Sequence, residues 1–459
     1  MKNNANETHR SFLASSRKHI LNITTHGIHQ WNIIPGLTDT GGQNVFVNQF
    51  SNTLVAHGFK VTIVNRGGYE HPITGEQRNG LQYKNKYQRI CYLEDGLPQF
   101  VRKEDMAERV PALISALEQT LESEGSSVEM IISHYWDAMA VGVGYSQGLP
   151  EPIQHIWVPH SVGAIKKSNV SPDKWANLRV DERIATECRL IEKIDGIGVT
   201  STAIRDALTQ TYDYHGPIPW LPPCIEPERY FPREVADEDP IWDFLSQHSG
   251  LPGEMVRNAK IITEVSRTVP SKRKNVVIEA FAKIQTQFPD TFLAVTIDEA
   301  EEDHARELKG LIQDCGITDR VAVLGSIWDI LPTLYAVTSI YCTPSVMEGF
   351  GMTAQEAAAT KVPVVASDKV PFVTEFLLGD DVREICPIDK SETSIQLGAG
   401  AIVVPADDVR GFAHALRLLL GDQDLRENLG EQAYTLTIPT FTWDRVVRDF
   451  MVSAGVEST

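Results

Sequence analysis

No stretch of this chain of 459 residues approaches the roughly 18 consecutive apolar residues of a membrane-spanning helix. The opening segment MKNNANETHRSFLASSRKH also lacks the apolar core of a signal peptide, so a soluble cytoplasmic protein is expected. Positive charge is scarce. Lys and Arg total 42 against 61 Asp and Glu, a formal charge of −19, and this argues against the basic field that nucleic acid or an anionic membrane would need. The six cysteines (Cys91, Cys188, Cys224, Cys315, Cys342 and Cys386) form no CxxC and have no histidine at metal-ligand spacing. Buried thiols are expected in place of a zinc site or disulfide framework. No internal repeat stands out. The dinucleotide-binding glycine pattern is missing too: Gly142, Gly144 and Gly148 do not directly follow a strand and fit the helix after SHYWDA. Two DxD strings, Asp237 to Asp239 and Asp422 to Asp424, fall in polar linkers, away from the strand ends where a divalent-metal site would need them.

Short β-branched runs alternate with helical-period segments along the whole chain, the signature of parallel sheets covered by helices. In the first half the pattern predicts strands at 19–25, 61–65, 89–94, 129–134, 154–160, 196–201 and 217–222. In the second half it predicts 260–266, 292–298, 320–325, 339–344, 362–368 and 401–406. The length suits two cores of similar size. The periodicity breaks at LPPCIEPERYFPREVADEDP, and the fold class expected is α/β with two Rossmann-like domains, residues 1–225 and 226–440.

Several constellations stand at predicted strand ends, where open α/β sheets bind ligands. Glu348 and Glu356 bracket EGFGMTAQE, a glycine turn opening a helix. Helix-start N–H groups and flexible Gly349 and Gly351 can donate to an anion, while the two carboxylates can only accept, as from sugar hydroxyls. The plainer reading has Glu348 as a cap and Glu356 on a solvated face. DTGGQN, with Gly41 and Gly42 at another helix start, could admit a phosphate or be an ordinary capped loop. His160 leads HSVGAIK after a buried strand. Arg183 and Glu187 are four apart, and taken alone they read as an exposed ion pair worth about 0.3–0.5 kcal/mol. Arg267, Lys272, Arg273 and Lys274 crowd one loop of an acidic protein, suiting a diphosphate clamp in which Arg binds bidentately and Lys acts as a point charge.

Taken together, DTGGQ, HSVGAIK, RIATE, the basic loop and PSVMEGFGMTAQEA resemble the retaining, sugar-nucleotide-dependent glycosyltransferases of family four, over nearly the whole chain. Within that family the pattern is most similar to the sucrose-phosphate synthase branch. The resemblance implies the GT-B fold: two Rossmann-like domains facing across a cleft, the first binding acceptor and the second donor, with a terminal helix (441–459) crossing back to the first. It implies that Glu356 binds the nucleotide ribose, Glu348 the donor hexose, and Arg267 with Lys274 the diphosphate. Gly42 and the backbone of Phe350, Gly351, Met352 and Thr353 assist at the diphosphate, and Gly325 and Ser326 lie at the base. His160 would touch the donor sugar near the reacting carbon. Lys166 and Arg183, with Arg102 or Lys103, would grip an acceptor phosphate, and Gln43 and Asn44 would face the acceptor sugar. One departure concerns the clamp: TVPSKRKN is two residues longer than the family's spacing. Lys272 keeps the spacing and Lys274 keeps the adjacency to Asn275, and Lys274 is preferred because the helix must start there.

The activity so implied is transfer of glucose from UDP-glucose to fructose 6-phosphate, giving sucrose 6-phosphate and UDP with retention at the anomeric carbon. Neither a metal nor another cofactor is implied. The partners expected are small molecules, with a homo-oligomer left open. The alternatives are a transferase with another nucleotide-hexose or phosphorylated acceptor, such as a mannosylfructose-phosphate synthase, a sugar-nucleotide hydrolase or epimerase, and a binding protein without turnover.

Overall fold

The computed structural model describes residues 2–34, 37–298, 302–325, 327–387 and 393–456. It forms two compact units, Met1–Pro223 with Trp443–Thr459, and Cys224–Thr442. In the first, seven strands make one sheet: β1 (His19–Ile23), β2 (Lys60–Arg66), β3 (Gly80–Asn85), β4 (Gln88–Leu93), β5 (Met130–His134), β6 (Gln154–Val158) and β7 (Gly196–Ile197). Their order is β3-β4-β2-β1-β5-β6-β7, and every pairing is parallel except β3 with β4. Because both faces are covered, β1, β2, β4 and β5 are buried along their whole length.

The second unit carries eight strands: β8 (Lys260–Glu264), β9 (Thr291–Thr296), β10 (Val321–Leu324), β11 (Ile340–Thr343), β12 (Val364–Ser367), β13 (Arg383–Ile385), β14 (Ile395–Leu397) and β15 (Ala401–Val404). They run in the order β10-β9-β8-β11-β12-β15-β14-β13, with β13 and β14 antiparallel at one edge. Apolar clusters lie on both faces. One gathers Phe292, Tyr341 and Phe372 and the other Phe281, Leu293 and Leu416.

Among the helices that carry or brace candidate functional residues are α1 (Gly42–Ala56), α2 (Val180–Leu190), α3 (Lys274–Ile284), α4 (Met352–Ala359) and α5 (Trp443–Ser453). The last returns to the first unit and packs on α1. Trp443 stands edge-on to Phe46 at 5.0 Å and donates its indole N–H to Gln49 at 3.1 Å, and Phe450 meets Phe50 at 5.7 Å. Gly142 and Gly144 sit inside the helix Tyr135–Gln147, where a Cβ on Gly142 would lie 2.6 Å from the ring of His155.

The segment 217–222 is not a strand. Pro217, Pro219, Pro222 and Pro223 supply no N–H groups, so only a single bridge forms, between Val199 and Trp220. Both DxD strings end as helix caps: Asp239 accepts from the N–H of Ile241, and Asp422 from that of Leu425. No helix among the described residues is long and apolar enough to cross a membrane.

Candidate active site

In the second unit the buried strand β11 leads to Glu348 and the turn before α4. Gly351 caps α4 at φ 112°, a left-handed conformation, and a Cβ there would stand 2.6 Å from Val370. Phe350 is pinned beneath by Phe372 and Phe441, at 5.4 and 5.9 Å, and its carbonyl accepts from the N–H of Phe372 at 2.7 Å. The half-buried Met352 and Thr353 begin the helix, so this fixed turn offers N–H groups that have no acceptor within α4.

Glu356 is not on a solvated face. It is buried and accepts from the Tyr335 hydroxyl at 3.2 Å, and burial pushes its carboxyl up to about 7, opposed by hydrogen bonds from Tyr335 and Tyr230. Glu348 is half-buried and accepts from the Lys272 ammonium.

The lysine of the basic loop must be reassigned. Lys274 is fully buried, and its ammonium meets Glu264 at 2.5 Å, the Ser266 hydroxyl at 2.9 Å, the Ser266 carbonyl at 3.0 Å and Thr296 at 3.1 Å. Three N–H donors already face four acceptors, so nothing is left for a diphosphate. The longer loop is taken up by the turn Pro270–Lys272 and by Arg273 at φ 53°. Lys272 thereby reaches Glu348, while Arg273 turns away to Asp407 at 2.6 Å. Arg267 is exposed, and its guanidinium has no partner among the described residues. Gly325 is exposed with open space where a Cβ would stand, and Ser326 lies outside the described residues.

In the first unit α1 opens at exposed Gly42, and Gln43 donates to Thr24, just past β1, at 3.2 Å. Asn44 does not present itself to a ligand. It is buried, accepting from the Gly41 N–H at 3.0 Å and meeting His29 at 3.3 Å, so it braces the loop.

His160 follows β6 with φ 53°. Its ring lies edge-on to Phe46 at 4.9 Å and stacks on His134 at 5.1 Å, with its Nε2 2.9 Å from Nδ1 of His134. Burial pushes the imidazole down to about 3, so it is neutral at physiological pH.

Lys103, Lys166, Arg179 and Arg183 line one solvent-open pocket, with Glu104 and Tyr135. Arg183 and Glu187 form no surface pair: their side chains are 4% and 0% exposed and 2.7 Å apart. The guanidinium also donates to the Tyr135 hydroxyl and the Ser161 carbonyl. Lys103 is tied to Asp39 by its ammonium and, at 2.9 Å, by its backbone N–H. Lys166 lies 3.4 Å from Glu104, and burial lowers its pKa, opposed by Glu104 and assisted by Arg183 and Lys103. A bound anion would favour the charged form of such a buried lysine. Arg102 does not join them: it is exposed and pairs with Asp105 at 3.1 Å.

Sequence reasoning missed Arg179, Tyr135, Asp39 and Glu104. Asp39, Tyr135, His160 and Arg179 all have positive φ, a strain that surrounding structure must hold and that gathers at functional sites. Periodicity carries no signal for it.

Two family models match the chain: "Glycosyltransferase Family 4" over residues 40–229 and "Glycosyl transferases group 1" over 254–436. Mannosylfructose-phosphate synthase of Agrobacterium fabrum is 26% identical over 389 residues, 82% of each chain. D-inositol 3-phosphate glycosyltransferase of Corynebacterium urealyticum is 25% identical, covering 87% of each. Among solved structures, sucrose-phosphate synthase from Thermosynechococcus elongatus matches with a TM-score of 0.74 at 23% identity, over 94% of this chain and 97% of that one. With one model over each unit, and the GT-B fold shared with that structure, the chain belongs to the family-four glycosyltransferases.

Proposed function

We propose that the chain moves a hexosyl group from a sugar nucleotide, held by the second unit, to a phosphorylated sugar held by the first, with UDP-glucose and fructose 6-phosphate as the pair. The observation that carries this reading is the cluster of Lys103, Lys166 and Arg183 around one cavity. A hydrolase or epimerase has no use for a second anion site, in the first unit, in addition to the Arg267 and Lys272 loop of the second. The relatives whose names specify mannosylfructose phosphate and inositol 3-phosphate support a phosphorylated acceptor. The first of them also favours a second reading, in which the nucleotide carries mannose.

The bond from the anomeric carbon to the β-phosphate breaks as the acceptor hydroxyl bonds to that carbon from the same face. The hydroxyl proton passes to the departing phosphate oxygen, and configuration is retained. Arg267, Lys272 and the N–H groups from Phe350 to Thr353 would meet the growing phosphate charge, each such contact being worth about 3 kcal/mol. Glu348 and Glu356 would accept from hexose and ribose hydroxyls. Charge neutralisation then rests on side chains, and turnover should be unchanged after EDTA treatment; loss of activity restored by Mg²⁺ would contradict this. The six cysteines form no disulfide among the described residues, which suits the cytoplasmic location proposed.

Lys166→Ala should raise the KM for a phosphorylated acceptor by about ten- to a hundredfold, the worth of a charge-assisted hydrogen bond, while leaving slow transfer to the unphosphorylated sugar unchanged. Equal effects on both acceptors would remove the phosphate assignment. Lys166 is the better probe because Arg183, buried on Glu187, is also part of the core. The reading is tested by a matrix of UDP-glucose, ADP-glucose and GDP-mannose against fructose 6-phosphate, inositol 3-phosphate and unphosphorylated fructose. Product should form only in the phosphorylated columns, most with UDP-glucose and fructose 6-phosphate.

A further inference from the structure

We propose that His134, itself held by Asn22, fixes the tautomer and the aim of His160, so that His160 offers the lone pair of its Nδ1 to the reacting sugar. This rests on the transferase reading for the sugar alone; the histidine arrangement stands on its own geometry. His134 ends β5 and is wholly buried, as is Asn22 in the middle of β1. The Asn22 amide nitrogen donates to the Ser51 hydroxyl at 2.7 Å, which turns its carbonyl oxygen toward His134.

An amide oxygen only accepts, so His134 carries its proton on Nε2 and leaves Nδ1 bare. That bare Nδ1 lies 2.9 Å from Nε2 of His160, which must then be the protonated nitrogen of His160. Nδ1 of His160 remains as an acceptor, with no hydrogen bond to any described residue. The ring cannot swing to offer the other edge, because Phe46 stands against it at 4.9 Å and His134 stacks on it at 5.1 Å. A left-handed backbone at φ 53° sets the side chain at the end of its strand. The group that meets Nδ1 must therefore bring a hydrogen. A sugar hydroxyl fits, and a carboxylate or phosphate oxygen does not.

His134 is thus a positioning residue. Full-length protein with ¹⁵N-labelled histidine rings, at pH 7 and without substrate, should show His160 protonated at Nε2 and bare at Nδ1, the signals being assigned by their loss in His160→Gln. His134→Phe should abolish the coupling between the two rings and lower kcat by about tenfold, roughly one hydrogen bond, with the KM for acceptor unchanged. His134→Gln, whose amide oxygen can accept from Nε2 of His160, should restore both. Protonation of wild-type His160 at Nδ1 or at both nitrogens would overturn the proposal, as would a His134→Phe protein with unaltered His160 signals and kcat. If His134→Phe does not fold, the wild-type spectrum decides alone. Absence of transfer with every donor and acceptor would defeat the transferase reading and leave the spectrum intact, so the two failures are distinguishable.

Discussion

Lys272→Ala is expected to lower kcat by about a hundredfold or more while leaving the melting temperature near that of the wild type, and Lys274→Ala is expected to do the reverse. Lys272 is half-buried at Glu348 and, unlike Lys274, lies on the open side of its loop, where it would meet a departing diphosphate. Loss of one such preorganised donor typically costs about 10²- to 10³-fold in turnover. Lys274 holds the carboxylate of Glu264 with both side chains fully buried, so truncation strands a charge in the core at a cost of about 3–5 kcal/mol. Nucleotide release assays beside thermal melts separate the two. A stable, inactive Lys274→Ala protein with a fully active Lys272→Ala counterpart would return the clamp to Lys274.

Glu356→Gln should stabilise the free protein and weaken its hold on the nucleotide. Burial raises this carboxyl from 4.5 to about 7. The folded state therefore retains a proton between those values that the unfolded chain has released, and stability falls as pH rises through that window. Above it the penalty is constant, at about 3 kcal/mol. Glutamine keeps the hydrogen-bonding shape without the charge, so the melting temperature of Glu356→Gln should exceed the wild type's at pH 8 and match it near pH 4.5. The ionised carboxylate is what ribose hydroxyls would donate to, and UDP affinity measured calorimetrically should drop by about ten- to a hundredfold. A variant that melts lower at pH 8, or binds UDP as tightly as the wild type, would show that Glu356 is a structural acid only.

The two sheets were legible because their central strands are short runs rich in apolar and β-branched residues, such as HILNI, VTIV and IYCT, that match buried parallel pairs. The edges were not. Gly80–Asn85 is a mostly exposed strand whose alternation is only two residues long, Leu81 and Tyr83, and the proline-rich 217–222 looks apolar enough for a strand yet lacks the donors for one. At the candidate site the motifs did not settle which side chain faces out. Lys272 and Lys274 differ by one turn geometry, set by the left-handed Arg273, and no composition encodes that. Arg183 and Glu187 have the spacing of a surface pair, but Tyr135 and Ser161 close over the guanidinium and Gly163 and Tyr212 over the carboxylate. Asn44 sits in a ligand-like motif, but its amide is consumed by Gly41 and His29.

The central claim is that a nucleotide sugar gives up its hexose to a phosphate-bearing acceptor, and the most direct measurement is UDP release from UDP-glucose with and without fructose 6-phosphate, with the sugar product identified. The account predicts release only when the phosphorylated acceptor is present, in equal amount to a phosphorylated disaccharide. UDP released at the same rate without acceptor, with free glucose as the product, would contradict it.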